Sequence, residues 1–414
     1  MFEEPSFLIQ VGHHGKNRVE EAIKRDHLDG AVLSPADYTM DKNSEIADSL
    51  SEAGYITLFD PQFYLPGQGD RDDLNDYDYH DEYGGEDYYS GLLYDSSTRE
   101  NFCELVIEAQ NDLNTDAYIS PAPLINRITD SNIDDWYDLT ETFLKAVESS
   151  ENELPIFASL PVDGNQLNDD SLRNKLLNTA TEFEVDGFYV SVAHSDREIR
   201  IPLRGEENIK SYLDLMLSLR ANRYEVIAAH THQIAHLLFA IGVNAIASGH
   251  YKNLRSLDTE RWIVPDETQI RRTVIRYYSD DLLQSIRPDS LLNELYEEPT
   301  FDETKLQTGS PYDDDLYDDS LSPANVGWGM ANGSWEHYNW SCSEISKKYR
   351  NKNLDTRVET AQEHIEDAKS LYTEVDNTVD NFLDEIEADL YDEWESSLLT
   401  ATQTPEFRRL NRII

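Results

Sequence analysis

Short apolar runs alternate with amphipathic stretches eight times in the first 255 residues, and nothing else in the chain constrains its fold as strongly. The runs cover 7–11, 30–33, 55–59, 117–120, 156–160, 187–192, 225–229 and 245–248. Each is brief and rich in Val, Ile, Phe and Tyr, as a parallel strand buried on both faces reads. Helical spacing of apolar residues fills 17–26, 44–52, 100–113, 134–148, 171–182, 206–220 and 235–241 between them. Such alternation predicts parallel pairing with right-handed crossovers. Eight units close an α/β (β/α)8 barrel of TIM type. The competing arrangement is an open doubly wound sheet. Its dinucleotide-binding form needs G-x-G-x-x-G after the first strand, whereas this chain has Gly12-His13-His14-Gly15 there.

A barrel of this kind takes roughly 250 residues, so a chain of 414 carries an appendage. The expected division is a barrel over 1–262, a helical extension over 263–300, an acidic and Trp-rich loop region over 301–353, and a long amphipathic helix with a tail over 354–414. Helices are expected at 267–278 and 280–295. The last helix should run over 355–397, because Val358, Ala361, Ile365, Ala368, Leu371, Val375, Val379, Phe382, Ile386 and Leu390 form a stripe. That stripe either docks on the barrel or pairs with a second subunit or another protein. Within the barrel, an insertion at 63–98 rich in Tyr, Asp and Gly follows the third strand, on the catalytic face. It reads either as a solvated loop or as a lid whose tyrosines stack on a planar ligand.

Charge and cysteine content narrow the setting. The chain has 82 acidic against 34 basic side chains, a formal net charge of −48. Self-repulsion on this scale strains a compact state in dilute salt, and about 1 M salt shortens the Debye length to about 3 Å and screens it. The composition therefore predicts a halophilic, archaeal-type cytosol. A DNA-mimicking surface would concentrate the acid, which here is dispersed. Two cysteines exclude a disulfide framework and a four-cysteine zinc site. No apolar run reaches membrane-spanning length, and Met1-Phe2-Glu3-Glu4 lacks the basic start of a secretory signal. A cytoplasmic protein without membrane association is expected.

Barrel enzymes carry their reactive groups at the C-terminal ends of the strands. Those ends hold His13 and His14, Ser34 and Asp37, Asp60 and Gln62, Ser120, Ser159, Ser191 and His194, His230 and His232, and Ser248 and His250, so that six of the 11 histidines fall there. Taken singly, such residues also satisfy helix starts; as a set they favour a site. His230 and His232 alternate on an extended segment. With His13, Asp60 or His250 they provide ligands for zinc or another divalent transition metal, which would activate a water for hydrolysis. Lys252, Arg255 and Arg261 follow the eighth strand and Arg197, Arg200 and Arg204 the sixth; they suit phosphate or nucleic acid as well as internal ion pairs. The chain has no Walker A loop, no G-x-S-x-G elbow and no H-E-x-x-H.

The stretch from His236 through Gly242, Ser248 and Tyr251 to Arg255 resembles the last barrel unit of the tRNA-guanine transglycosylases, especially their archaeosine-type archaeal branch. That unit joins a helix, an "lGxDxFDS" strand end and a "YxxxxR" stretch. Phe59-Asp60-Pro61-Gln62-Phe63-Tyr64 is distantly similar to the family's "DSGGFQ" turn. The resemblance covers the barrel alone. It implies that Asp60 contacts a base and acts as acid or base, that His13, His230 and His250 carry protons or make polar contacts, and that Gln62, Tyr64, Ser248, Lys252 and Arg255 bind substrate. It also implies a nucleobase or nucleic acid as partner, with no cofactor. Two departures stand out: the family's nucleophilic aspartate falls on Ala247, and its zinc-binding cysteine insertion is absent. The expected function is thus a divergent transglycosylase-like protein. The alternatives are a metal-dependent hydrolase using His230 and His232, and a non-catalytic binding or assembly module.

Overall fold

The computed structural model describes residues 1–65, 74–84, 92, 94–150, 152–193, 203–231, 233–249, 251, 254–257, 274–317, 321–326, 328, 333–379 and 387–414. Eight parallel strands form a nearly closed (β/α)8 barrel: β1 Ser6–Gln10, β2 Gly30–Leu33, β3 Ile56–Phe59, β4 Tyr118–Ile119, β5 Ile156–Asp163, β6 Gly187–Ala193, β7 Glu225–Ala229 and β8 Ala245–Ser248. They run in the order β3-β2-β1-β8-β7-β6-β5-β4, which rules out the open doubly wound alternative. Helices Gly15–Arg25, Met40–Ala53, Ser96–Asp112, Asp130–Ser149, Asp170–Ala180, Glu206–Ala221 and Ala235–Ala240 follow successive strands.

Period-two alternation sorts each strand into two faces. Inward positions Leu8, Val32, Leu58, Ile119, Phe157, Ile227 and Ala247 pack together with Tyr189 inside the barrel. Outward neighbours such as Ile9, Leu33, Val190 and Ile246 join the core shared with the helices. The strands sit so close at two points that only glycine fits. A Cβ on Gly30 would lie 2.3 Å from the Ile56 carbonyl oxygen, and one on Gly187 would lie 2.3 Å from that of Glu225.

One device recurs four times along the lower rim. Before each even-numbered strand, an Asp or Asn accepts the N–H of a residue near the start of the preceding strand. Asp29 accepts from Phe7 at 2.8 Å, Asp116 from Thr57 at 2.7 Å, Asp186 from Ile156 at 2.8 Å and Asn244 from Val226 at 2.9 Å. The backbone N–H of the same four residues donates back to the carbonyls of Phe7, Thr57, Ile156 and Val226. The barrel is thus four copies of a two-strand clamp. At the β3–β4 seam, Asp116 makes both of these bonds across the gap.

The appendage completes the barrel instead of standing apart from it. Helix Gly333–Tyr349 packs on β1 between helices Gly15–Arg25 and Ala235–Ala240, in the slot that an eighth outer helix occupies. The outer ring therefore draws on residues beyond the expected 1–262 boundary. This helix also corrects the expectation of a loop throughout 301–353. A further correction concerns the expected helix at 280–295. Tyr277–Ser279 and Gln284–Ile286 pair as antiparallel strands β9 and β10, with a left-handed Leu283 in the turn, and helix begins only at Leu291. The expected 355–397 helix ends at Thr378, where Val379 is extended, and helix resumes over Asp389–Thr402. Its stripe residues Ala361, Ile365, Ala368 and Val375 are buried within the chain, and the helix packs on Ala235–Ala240. Among the described residues, no helix is long and apolar enough to cross a membrane.

Candidate functional site

The inward alternation that gives a dry interior lower down turns polar near the C-terminal ends of the strands. Gln10 of β1 follows Leu8 in step, and Ser34, Asp60, Ser159 and Ser191 follow Val32, Leu58, Phe157 and Tyr189. All five are at most 1 % exposed. Asp60 is their hub. Its carboxylate accepts the Gln62 N–H at 2.9 Å, the Tyr64 hydroxyl at 2.7 Å and the Tyr189 hydroxyl at 3.2 Å. The Tyr189 hydroxyl also lies 3.0 Å from Gln10 Oε1, and that of Tyr64 lies 3.5 Å from Ser191 Oγ. Ser34 donates to Gln62 Oε1 at 3.0 Å and to Asp37 at 2.6 Å.

The hydrogen-bond partners of Asp60 are all uncharged. Burial raises its carboxyl to about 6, and the bonds from Tyr64, Gln62 and Tyr189 hold it from rising further. Near neutrality it exchanges a proton readily, as an acid–base group must. His230, directly after β7, edges onto the Tyr64 ring with centroids 6.5 Å apart. Burial lowers its imidazole to about 4, with the Leu254 backbone pulling weakly the other way, so the ring is neutral at pH 7. Among the described residues, neither ring nitrogen bonds another side chain, and the Gln10 amide nitrogen has no hydrogen-bond partner. A buried polar group without a partner costs about 1–3 kcal/mol. Backbone geometry adds to this: Gln62 and His230 adopt φ of 52° and 51°, left-handed conformations that cluster at functional sites in non-glycine residues.

The structure therefore brings together Asp60, Gln62, Tyr64 and His230 of the residues expected from sequence. His13 is exposed, with its ring 4.0 Å from that of His14. Ser248 faces outward, with its hydroxyl on the Thr231 carbonyl at 2.5 Å and the Tyr338 hydroxyl at 2.9 Å. Arg255 is buried with its guanidinium 3.4 Å from the centre of the Tyr338 ring, and its Nε donates to the Gly249 carbonyl at 2.9 Å. Arg204 pairs with Glu387 and Glu393. His194, Arg197, Arg200, His232, His250, Lys252 and Arg261 lie outside the described residues. Sequence reasoning missed Gln10 and Tyr189. The signal was available as strand parity: each stands two residues from an inward neighbour, Leu8 or Ser191.

No family model matches the chain, and no curated protein is significantly similar to it in sequence. Fold and site together define a (β/α)8-barrel protein with a buried polar cluster centred on Asp60 at the C-terminal ends of its strands.

Proposed function

We propose that the barrel mouth binds the polar edge of a planar heterocycle of the nucleobase class, with Asp60 as the acid–base group of a divergent transglycosylase-like enzyme. The observation that carries this reading is the buried Asp60 carboxyl, raised to about 6, with the Gln62 side chain on it and the Gln10 amide joined to it through the Tyr189 hydroxyl. Amide donors match the O6 and N7 acceptors of a guanine-like ring, and a carboxylate accepts from its N–H groups. Enzymes that read an extruded base combine such edge contacts with aromatic surfaces; Tyr64 and Tyr189 supply the surfaces here. Tyr64 holds Asp60 in the ligand-free geometry, so a ligand reaching the carboxyl takes over that hydroxyl's place.

The test is incorporation of labelled guanine or a 7-deazaguanine into tRNA in molar KCl, alongside calorimetric binding of the free bases. Wild-type incorporation that vanishes in Asp60→Asn supports the reading. Absence of binding by every purine, in the wild type and in Tyr64→Ala, sinks it.

The buried imidazole of His230, lowered to about 4 and meeting no other side-chain donor or acceptor among the described residues, favours a second reading, a metal-dependent hydrolase, because a neutral imidazole is the form that ligates metal. A stoichiometric transition metal lost specifically in His230→Ala would move the assignment there.

A further inference from the structure

Away from the barrel mouth, three segments distant in sequence converge on one carboxylate. Asp280 directly follows strand β9, His236 lies in the first turn of helix Ala235–Ala240, and His364 lies midway along helix Leu354–Thr378. His236 Nε2 is 2.9 Å from Asp280 Oδ1, His364 Nε2 is 3.3 Å from Oδ2, and the three ligand atoms lie within 4.8 Å of one another. The imidazole ring centres are 4.6 Å apart. Side-chain exposure is 0 % for His236, 19 % for Asp280 and 11 % for His364.

We propose that His236, Asp280 and His364 form a three-ligand transition-metal site of the zinc class where the C-terminal region meets the barrel. The donor set is two imidazoles and a carboxylate, which with a water completes tetrahedral zinc. In such a site, metal–ligand bonds near 2.0–2.2 Å place ligand atoms roughly 3.3 Å apart, within reach of the spacings seen. Two further observations point the same way. His236 has its other nitrogen 3.0 Å from the Tyr349 hydroxyl, the kind of outer partner that orients a metal-bound imidazole. The Nε2 of His364 is buried and faces Asp280 Oδ2 from 3.3 Å, at the edge of hydrogen-bond range. Lys348 places its ammonium 2.7 Å from Asp280 Oδ2. It supplies positive charge to the carboxylate that a metal would also bind, and its side chain is 33 % exposed.

The experiment strips the full-length protein with chelator in molar KCl, then adds Zn²⁺ or Co²⁺ and measures stoichiometry, affinity and the cobalt visible spectrum. One equivalent per chain, with intense tetrahedral cobalt bands, is expected. His364→Ala should weaken binding by at least about 100-fold, the upper end for losing a metal-supporting group. Lys348→Met should tighten it by about 10-fold, because a competing cation is gone. A purely structural histidine cluster would not show that gain. Binding should be unchanged in His230→Ala, which separates this site from the barrel mouth. The proposal is overturned by sub-stoichiometric metal in the wild type, by equal affinity in a folded His364→Ala, or by loss of the ion in His230→Ala.

Discussion

At the lower rim of the barrel, Asp29, Asp116, Asp186 and Asn244 each face a single strand N–H and satisfy it, four times over, with a return bond from their own backbone. At the upper rim, Asp60, Gln10 and Ser191 share the Tyr64 and Tyr189 hydroxyls, and among the described residues the Gln10 amide nitrogen has no partner. Both rims are built from short polar side chains at strand termini, so residue type does not separate them. Pairing does. Below, each carboxylate is matched to backbone donors that are fixed once the strands align. Above, among the described residues, the carboxyl is hydrogen-bonded only by neutral groups, and burial raises its pKa. The (β/α)8 fold separates stability and function between its two ends in this way.

The largest expected effect lies at the upper rim and has the opposite sign to an ordinary buried substitution. The folded-state pKa of Asp60, about 6, stands above its ordinary 3.8, so the folded protein holds this proton more tightly than the unfolded chain. The associated stability is fully present below pH 4 and is lost as pH rises through about 6. At 1.36 kcal/mol per unit, the ionised carboxyl costs the fold up to about 3 kcal/mol at pH 8. Asp60→Asn should therefore stabilise the protein by up to that amount at pH 8 and change little at pH 4, and under the proposed function it abolishes base binding. Denaturant unfolding in molar KCl at the two pH values checks the sign. Equal stability of variant and wild type at pH 8 would break the contrast between the rims.

The lower rim should behave conventionally. Asp116→Ala removes the side-chain bond across the β3–β4 seam and leaves the Thr57 N–H without its partner. A loss of about 2 kcal/mol is expected, independent of pH between 6 and 9 and without effect on ligand affinity. A change in affinity larger than the change in stability would show that the two ends are coupled.

The strands were legible because each is a brief apolar run, and their order followed from handedness alone. Asp60, Gln62 and Tyr64 were legible because they sit together after β3. Gln10 and Tyr189 were hidden inside apolar runs, where only inward parity marks them. The β9–β10 hairpin was misread for a specific reason: Tyr278, Leu282, Leu283 and Ile286 satisfy helical three-and-four spacing as well as they satisfy two short strands. The His236–Asp280–His364 cluster has no local motif, since its members come from three separate elements. The aspartates of the lower rim carry a repeated pattern, Asp29-Gly30, Asp116-Ala117, Asp186-Gly187 and Asn244-Ala245, which becomes meaningful once alternate strands are aligned.

That repeat allows a finer test of what the clamp contributes. Asn244 is the one uncharged copy, and its strand β8 also pairs with β7 through Ile227–Ala245 and Ala228–Ile246. Asp116 has no comparable ladder bridging β3 to β4 among the described residues. A neutral hydrogen bond is weaker than a charge-assisted one, and a seam already held by a ladder loses less when one bond goes. Asn244→Ala should thus cost about 1 kcal/mol, roughly half the cost of Asp116→Ala, by the same denaturant measurement. Equal costs would mean that the ladder contributes nothing beyond the clamp, and that the β3–β4 seam is held as firmly as any other junction in the barrel.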